Sequence, residues 1–135
     1  MHFRATPRQI LRALACGLLI GAASYGVYRL LGGAPDQAKG LWKILWILLI
    51  GPALEEIVFR GLAFRPAEQD LGAGWAILLC AALFALAHWG FPNLLIAFLA
   101  GLVFGWIRYR TGNVLCPMLA HVGANAVLMV LQAGL

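Results

Sequence analysis

Residues 41–69 read LWKILWILLIGPALEEIVFRGLAFRPAEQ. Apart from Lys43, the first ten are all apolar. A Gly51-Pro52 pair follows, and then Glu55, Glu56 and Arg60 stand among Leu54, Ile57, Val58, Phe59, Leu62 and Phe64. A run this apolar reads as a membrane-spanning helix. Gly51-Pro52 predicts a kink within it. Ionisable side chains inside a span are costly, so they mark a functional site by default.

The rest of the chain agrees with a membrane setting. It has 135 residues, of which 63% are hydrophobic and 11% charged, and its mean hydropathy is +0.88. A soluble domain carries roughly 25% charged residues. A bilayer core takes about 20 apolar residues per helix, which leaves room for about five spans and no soluble domain. The expected fold class is therefore all-α, a polytopic transmembrane helix bundle.

The expected first span runs from about Ile10 to Leu31, behind Arg4, Arg8 and Arg12. Its apolar run is long for a signal peptide and no convincing cleavage site follows, so it reads as an uncleaved anchor. Gly32-Gly33-Ala34-Pro35-Asp36 predicts a loop. Residues 1–40 thus form an anchor helix with its loop, and 41–135 a core. Span two begins near Leu41, with Trp42 and Trp46 at the interface. Turns at Asp70–Gly74, Gly90–Asn93 and Arg110–Asn113 separate span three (about Trp75–Trp89), span four (Leu94–Tyr109) and span five (Val114–Leu131).

The net charge is +5. The basic residues lie mostly at span ends, where anchoring explains them and nucleic acid does not. Seven of the ten fall on the side of the N-terminus, Arg29, Lys39 and Lys43 on the other. That bias predicts a multi-pass membrane protein with a cytoplasmic N-terminus. Cys16, Cys80 and Cys116 sit in apolar stretches without a CxxC pair, so no disulfide framework is expected.

Four polar residues fall at comparable depth. Spans two and three form an antiparallel hairpin, and the midpoint of Glu55 and His88 lies inside its turn. Both should stand on the order of 20 Å from that turn by the helical rise. His121 and Asn125 lie nine and thirteen residues beyond Gly112, or about 14 and 20 Å from a turn on the same side of the membrane. They are four residues apart and share a helix face. Glu55 and Glu56 differ by about 100° around their helix. Glu56 and Arg60, at i and i+4, suit a supporting ion pair, which leaves Glu55 to face the histidines.

These groups suit hydrolysis of a peptide bond. A glutamate can take a proton from water while a histidine helps position that water. A second histidine and an asparagine can donate hydrogen bonds to the oxyanion of the tetrahedral intermediate.

Three motifs, each on its own apolar span, carry a resemblance: Glu55-Glu56-Ile57-Val58-Phe59-Arg60 (EExxxR), Phe84-Ala85-Leu86-Ala87-His88 (FxxxH) and His121-Val122-Gly123-Ala124-Asn125 (HxxxN). Over residues 45–131 the chain resembles the CPBP family of glutamic intramembrane endopeptidases. That family includes the type II CAAX prenyl endopeptidases and the bacterial Abi proteins. The resemblance implies that Glu55 activates water with help from His88, and that His121 and Asn125 form the oxyanion hole. Glu56 and Arg60 would support them, and Phe84, one turn before His88, is expected to buttress it by packing. It also implies metal-free hydrolysis of membrane-anchored protein or peptide substrates. Most members have further spans, so this chain resembles a minimal core with one leading helix.

Two other readings stay open at this point. Glu55, His88 and His121 form a His₂Glu set, known from zinc-dependent proteases, although no HExxH is present. A non-catalytic immunity or scaffold protein on the same fold is the other, and His121 and Asn125 would then serve as interhelical glue. Gly101 and Gly105 form a GxxxG expected to permit close packing within the bundle. Ser24, the sole serine, shows no catalytic partner in the sequence.

Overall fold

A computed structural model describes residues 4–33 and 40–134. These form five helices: α1 (Pro7–Leu30), α2 (41–71), α3 (Ala73–Leu86), α4 (Asn93–Thr111) and α5 (Leu115–Ala133). Among the described residues there is no strand, as expected for an all-α bundle. The Ala34-Pro35-Asp36 part of the expected loop, and Lys39, lie outside the described residues.

Local chemistry sets the helix ends. Thr6 caps α1 in a reciprocal box with Gln9, and Pro7 takes the first turn, where its missing N–H costs nothing. Gly72, at φ +85°, is the whole hinge between α2 and α3, shorter than the five-residue turn expected. A side chain would be strained at that angle. Gly112, at φ +69°, ends α4, and the Asn113 side chain then accepts from the Cys116 N–H to cap α5.

The long α2 carries a local defect where the kink is expected. A π-helical turn at Trp46–Ile50 precedes Gly51-Pro52, and the helix continues past them. Proline in an ordinary helix clashes with the carbonyl four residues back. The wider π turn relieves that clash, with the Gly51 N–H donating to the Trp46 carbonyl five residues back. A second π-helical stretch, Ile57–Ala63, follows Glu56.

Helices α1, α4 and α5 are each long and apolar enough to cross a membrane. α3, with 14 residues, is about 21 Å long. Many large apolar side chains point outward, Leu19 at 71% and Trp89 at 90% exposure among them. In water such a surface would aggregate; against lipid it is the expected exterior.

Small residues bring the backbones together. Gly101 faces Ala81 and Phe84 of α3, and Gly105 faces Ile77, so the GxxxG does serve packing within the bundle. Gly17 and Gly21 bring α1 onto α5 in parallel: a β-carbon at either would meet the carbonyl oxygen of Ala120 or Ala124 at 2.3 or 2.5 Å. The core between α3, α4 and α5 is filled by Phe84, Phe104, Ile107 and Cys116. All three cysteines are free.

Candidate functional site

The site starts on α2. Neighbours on a helix point about 100° apart, and Glu55 and Glu56 do so with opposite consequences. The Glu56 side chain is fully buried, while that of Glu55 is 31% exposed at a cleft. Glu56 Oε1 accepts from Arg60 Nη1 at 3.0 Å, as the i,i+4 spacing predicts. The same oxygen lies 3.0 Å from His121 Nδ1. That second bond, from α5, was not anticipated by the sequence reasoning.

Arg60 is fully buried as well. Its Nη2 donates to the Gly101 carbonyl of α4 at 2.9 Å. Its guanidinium lies over the rings of Phe84 and Phe104, at 4.7 and 5.5 Å, where an aromatic face attracts a cation. Arg108 Nε donates to the Arg60 carbonyl at 2.9 Å, so a second arginine fixes this stretch from α4. Two buried atoms, Glu56 Oε2 and Arg60 Nε, have no hydrogen-bond partner among the described residues.

Phe84 is the hub beneath the histidines. Its ring lies 4.6 Å from His88 and 5.5 Å from His121. His121 is also stacked on Phe104 at 4.9 Å. Each imidazole is oriented by its Nδ1. In His88 that atom is 2.9 Å from the Phe84 carbonyl, which can only accept, so Nδ1 carries the proton and Nε2 is turned elsewhere. In His121 the Glu56 carboxylate does the same, and Nε2 lies 3.6 Å from Glu55 Oε2.

Asn125 is held by a backbone defect. In the π register the next N–H after Gly51 would bond the Ile47 carbonyl, but residue 52 is proline and has none. Asn125 Nδ2 donates to that carbonyl at 2.9 Å. Pro52 is the sequence signal that marked this unclaimed acceptor. Gly101, whose carbonyl serves Arg60, carried no such signal.

The structure gathers the four foremost candidates. Glu55 of α2, His88 just beyond α3, and His121 and Asn125 of α5 line one cleft of about 250 Å³, with Gly51 and Pro52 in its wall. Glu56, Arg60 and Phe84 lie behind it. A second cleft, of about 290 Å³, shares His88, His121 and Asn125 and extends toward Ser24 and Tyr28 of α1. Sequence reasoning saw no partner for Ser24 and did not place α1 at the site. Among the described residues, no three His, Cys, Asp or Glu side chains lie close enough together to hold a metal ion.

Residues 37–127 match the family model described as type II CAAX prenyl endopeptidase Rce1-like. Two curated proteins are similar to the chain. "Putative membrane peptidase YdiL" of Bacillus subtilis (strain 168) is 29% identical over 84 residues, which cover 62% of this chain and 34% of that protein. The "Uncharacterized 24.3 kDa protein" of Escherichia coli is 33% identical over 93 residues, covering 62% and 41%. The chain thus spans about a third to two fifths of the length of these relatives. No solved structure matches it. With the family match extending over more than half of the chain, from before Glu55 to beyond Asn125, this integral membrane protein belongs to the Rce1-like type II CAAX prenyl endopeptidases of the CPBP family.

Proposed function

We propose that the chain hydrolyses peptide bonds of membrane-anchored polypeptides with a water activated by Glu55 and His88, and with an oxyanion hole formed by His121 and Asn125. The observation that carries this reading is the convergence of these four side chains, from α2, the end of α3 and α5, on one cleft. The family match supports proteolysis in general.

Water attacks the scissile carbonyl carbon and gives a proton to the Glu55 carboxylate, with His88 Nε2 accepting from the same water. The oxyanion receives hydrogen bonds from Asn125 and His121. Collapse of the intermediate breaks the C–N bond, and Glu55 returns its proton to the leaving amine. One N–H of Asn125 is tied to Ile47, which orients the other.

The hydrogen bonds place a condition on His121. Its Nδ1–H is committed to Glu56, so Nε2 can donate to an oxyanion only from the imidazolium form. Glu56 and Arg60 thus act through His121 as positioning residues.

The reading needs no metal. The purified protein in liposomes should cleave a single-span reporter peptide, resist chelators, and lose cleavage on Glu55→Gln. Fragments that persist in Glu55→Gln would overturn the role of Glu55. Loss with a chelator and rescue by Zn²⁺ would favour a zinc protease, and no cleavage by wild type a non-catalytic protein. The basic bias at Arg4, Arg8 and Arg12 supports a cytoplasmic N-terminus, which reporter fusions at the two ends would check.

A further inference from the structure

α1 lies outside the family-matched residues 37–127, yet it walls the cleft. Gly17 and Gly21 seat it against Ala120 and Ala124, the residues just before His121 and Asn125. This fixes α1 against the backbone that carries the proposed oxyanion hole. Further along α1, Ile20, Ser24 and Tyr28 face the same cleft as His88, His121 and Asn125.

The other side of α1 is open. It packs closely on α5 but only lightly on α4. Between α1 and α4 runs a groove of about 130 Å³, lined by Ile20, Ala23 and Val27 on one side and Ile96, Leu99 and Val103 on the other. Ser24 is the one residue in its lining with a polar side chain. Ile20, Ser24, Ile96 and Ala100 belong to both the groove and the cleft, so the two adjoin.

We propose that this α1–α4 groove is the substrate's entry and specificity subsite: a membrane-embedded polypeptide enters sideways between α1 and α4 and lodges an apolar side chain there. The proposal rests on the proteolytic reading of the adjoining site. The lining chemistry selects the occupant. A polypeptide unwound for cleavage exposes N–H and C=O groups that lipid cannot satisfy. Ser24, Tyr28, Asn93 and Gln132 supply polar groups along the cleft walls, while the groove beside them offers apolar contact. An isoprenoid or acyl chain would match the groove but has no use for the polar groups. The small Ala100 on α4, common to groove and cleft, leaves the space that the substrate side chain fills.

The test uses the full chain in liposomes and a fluorescent single-span peptide rich in leucine and alanine. Benzophenone-alanine is placed at Val27 in the groove, or at the outward-facing Leu19 as control, in a Glu55→Gln background that traps substrate. Crosslinking at least tenfold stronger at position 27 is expected, together with competition by unlabelled peptide and none by geranylgeranyl-cysteine. Equal crosslinking at both positions overturns the lateral entry. Competition by the isoprenoid alone overturns the polypeptide occupant. Cleavage of the same peptide is then measured with otherwise wild-type protein. Ala100→Phe, which fills the groove, should lower kcat/KM at least tenfold, and Leu19→Phe should not; equal activity in Ala100→Phe and wild type sinks the subsite. Selective capture at position 27 without cleavage by wild type would defeat the proteolytic reading and leave the docking groove standing, so the two failures are distinguishable.

Discussion

Glu55 and Glu56 are neighbours in the chain and belong to different regions of the molecule. Behind α2, Glu56, Arg60 and the Gly101 carbonyl form a closed cluster, sealed by Phe84 and Phe104. In front of α2, Glu55 opens onto a cleft with His88 and Asn125. His121 belongs to both, with Nδ1 on the closed side and Nε2 on the open one. The closed region has its charges paired and water excluded, which suits a support. The open region keeps a carboxylate and two imidazole nitrogens accessible, which chemistry requires. One residue of helical rotation separates the two.

The largest expected effect falls on the open side. Glu55→Gln should lower cleavage by up to about 10⁴-fold, the upper range for a general base, with no loss of thermal stability in detergent. A large drop in melting temperature would show that Glu55 belongs to the support after all. On the closed side, Arg60→Met leaves Glu56 buried without its cation and should cost about 3–5 kcal/mol of stability. The double variant Glu56→Leu with Arg60→Met should regain much of that stability, measured by chemical denaturation. It should stay inactive, because His121 Nδ1 has lost its acceptor. Recovery of activity with stability would break the claim that Glu56 acts through His121.

Smaller effects sharpen the boundary between the regions. Asn125→Ala should reduce kcat by about 10²–10³-fold, as for one lost oxyanion donor. A change in KM alone would reassign Asn125 to its tether on Ile47. The least effect is expected at the seam behind both regions. Gly17→Ala, whose new methyl meets the Ala120 carbonyl, should destabilise by about 1–3 kcal/mol. Gly26→Ala, on the same helix with open space around it, should be neutral or slightly stabilising. Similar melting temperatures for the two variants would mean that the α1–α5 seam is not tight.

Much of this was legible in the sequence for local reasons. Apolar run length gives the helices, and Gly72 and Gly112 mark the turns because L-side chains are strained at their φ angles. Two turns on one side of the bundle, with the 1.5 Å rise, place Glu55, His88, His121 and Asn125 at one depth. The i,i+4 spacing gives the Glu56–Arg60 pair. The π turns were not legible, since Gly51-Pro52 reads equally as a kink. Which of two strategies relieves a proline clash depends on what packs beside it, and here Asn125 takes the carbonyl that the π register leaves unclaimed.

By itself, then, the sequence determined the membrane setting, the five helices, the order of the motifs and the level of the polar side chains. These follow from hydrophobicity and helix periodicity, which act along the chain. Only the tertiary structure decided that His121 bridges both glutamates, that the Gly101 and Ile47 carbonyls hold Arg60 and Asn125, and that α1 walls the cleft. Those depend on the rotation and approach of helices far apart in sequence. Backbone carbonyls and glycine contacts set them, and neither is visible until the helices meet.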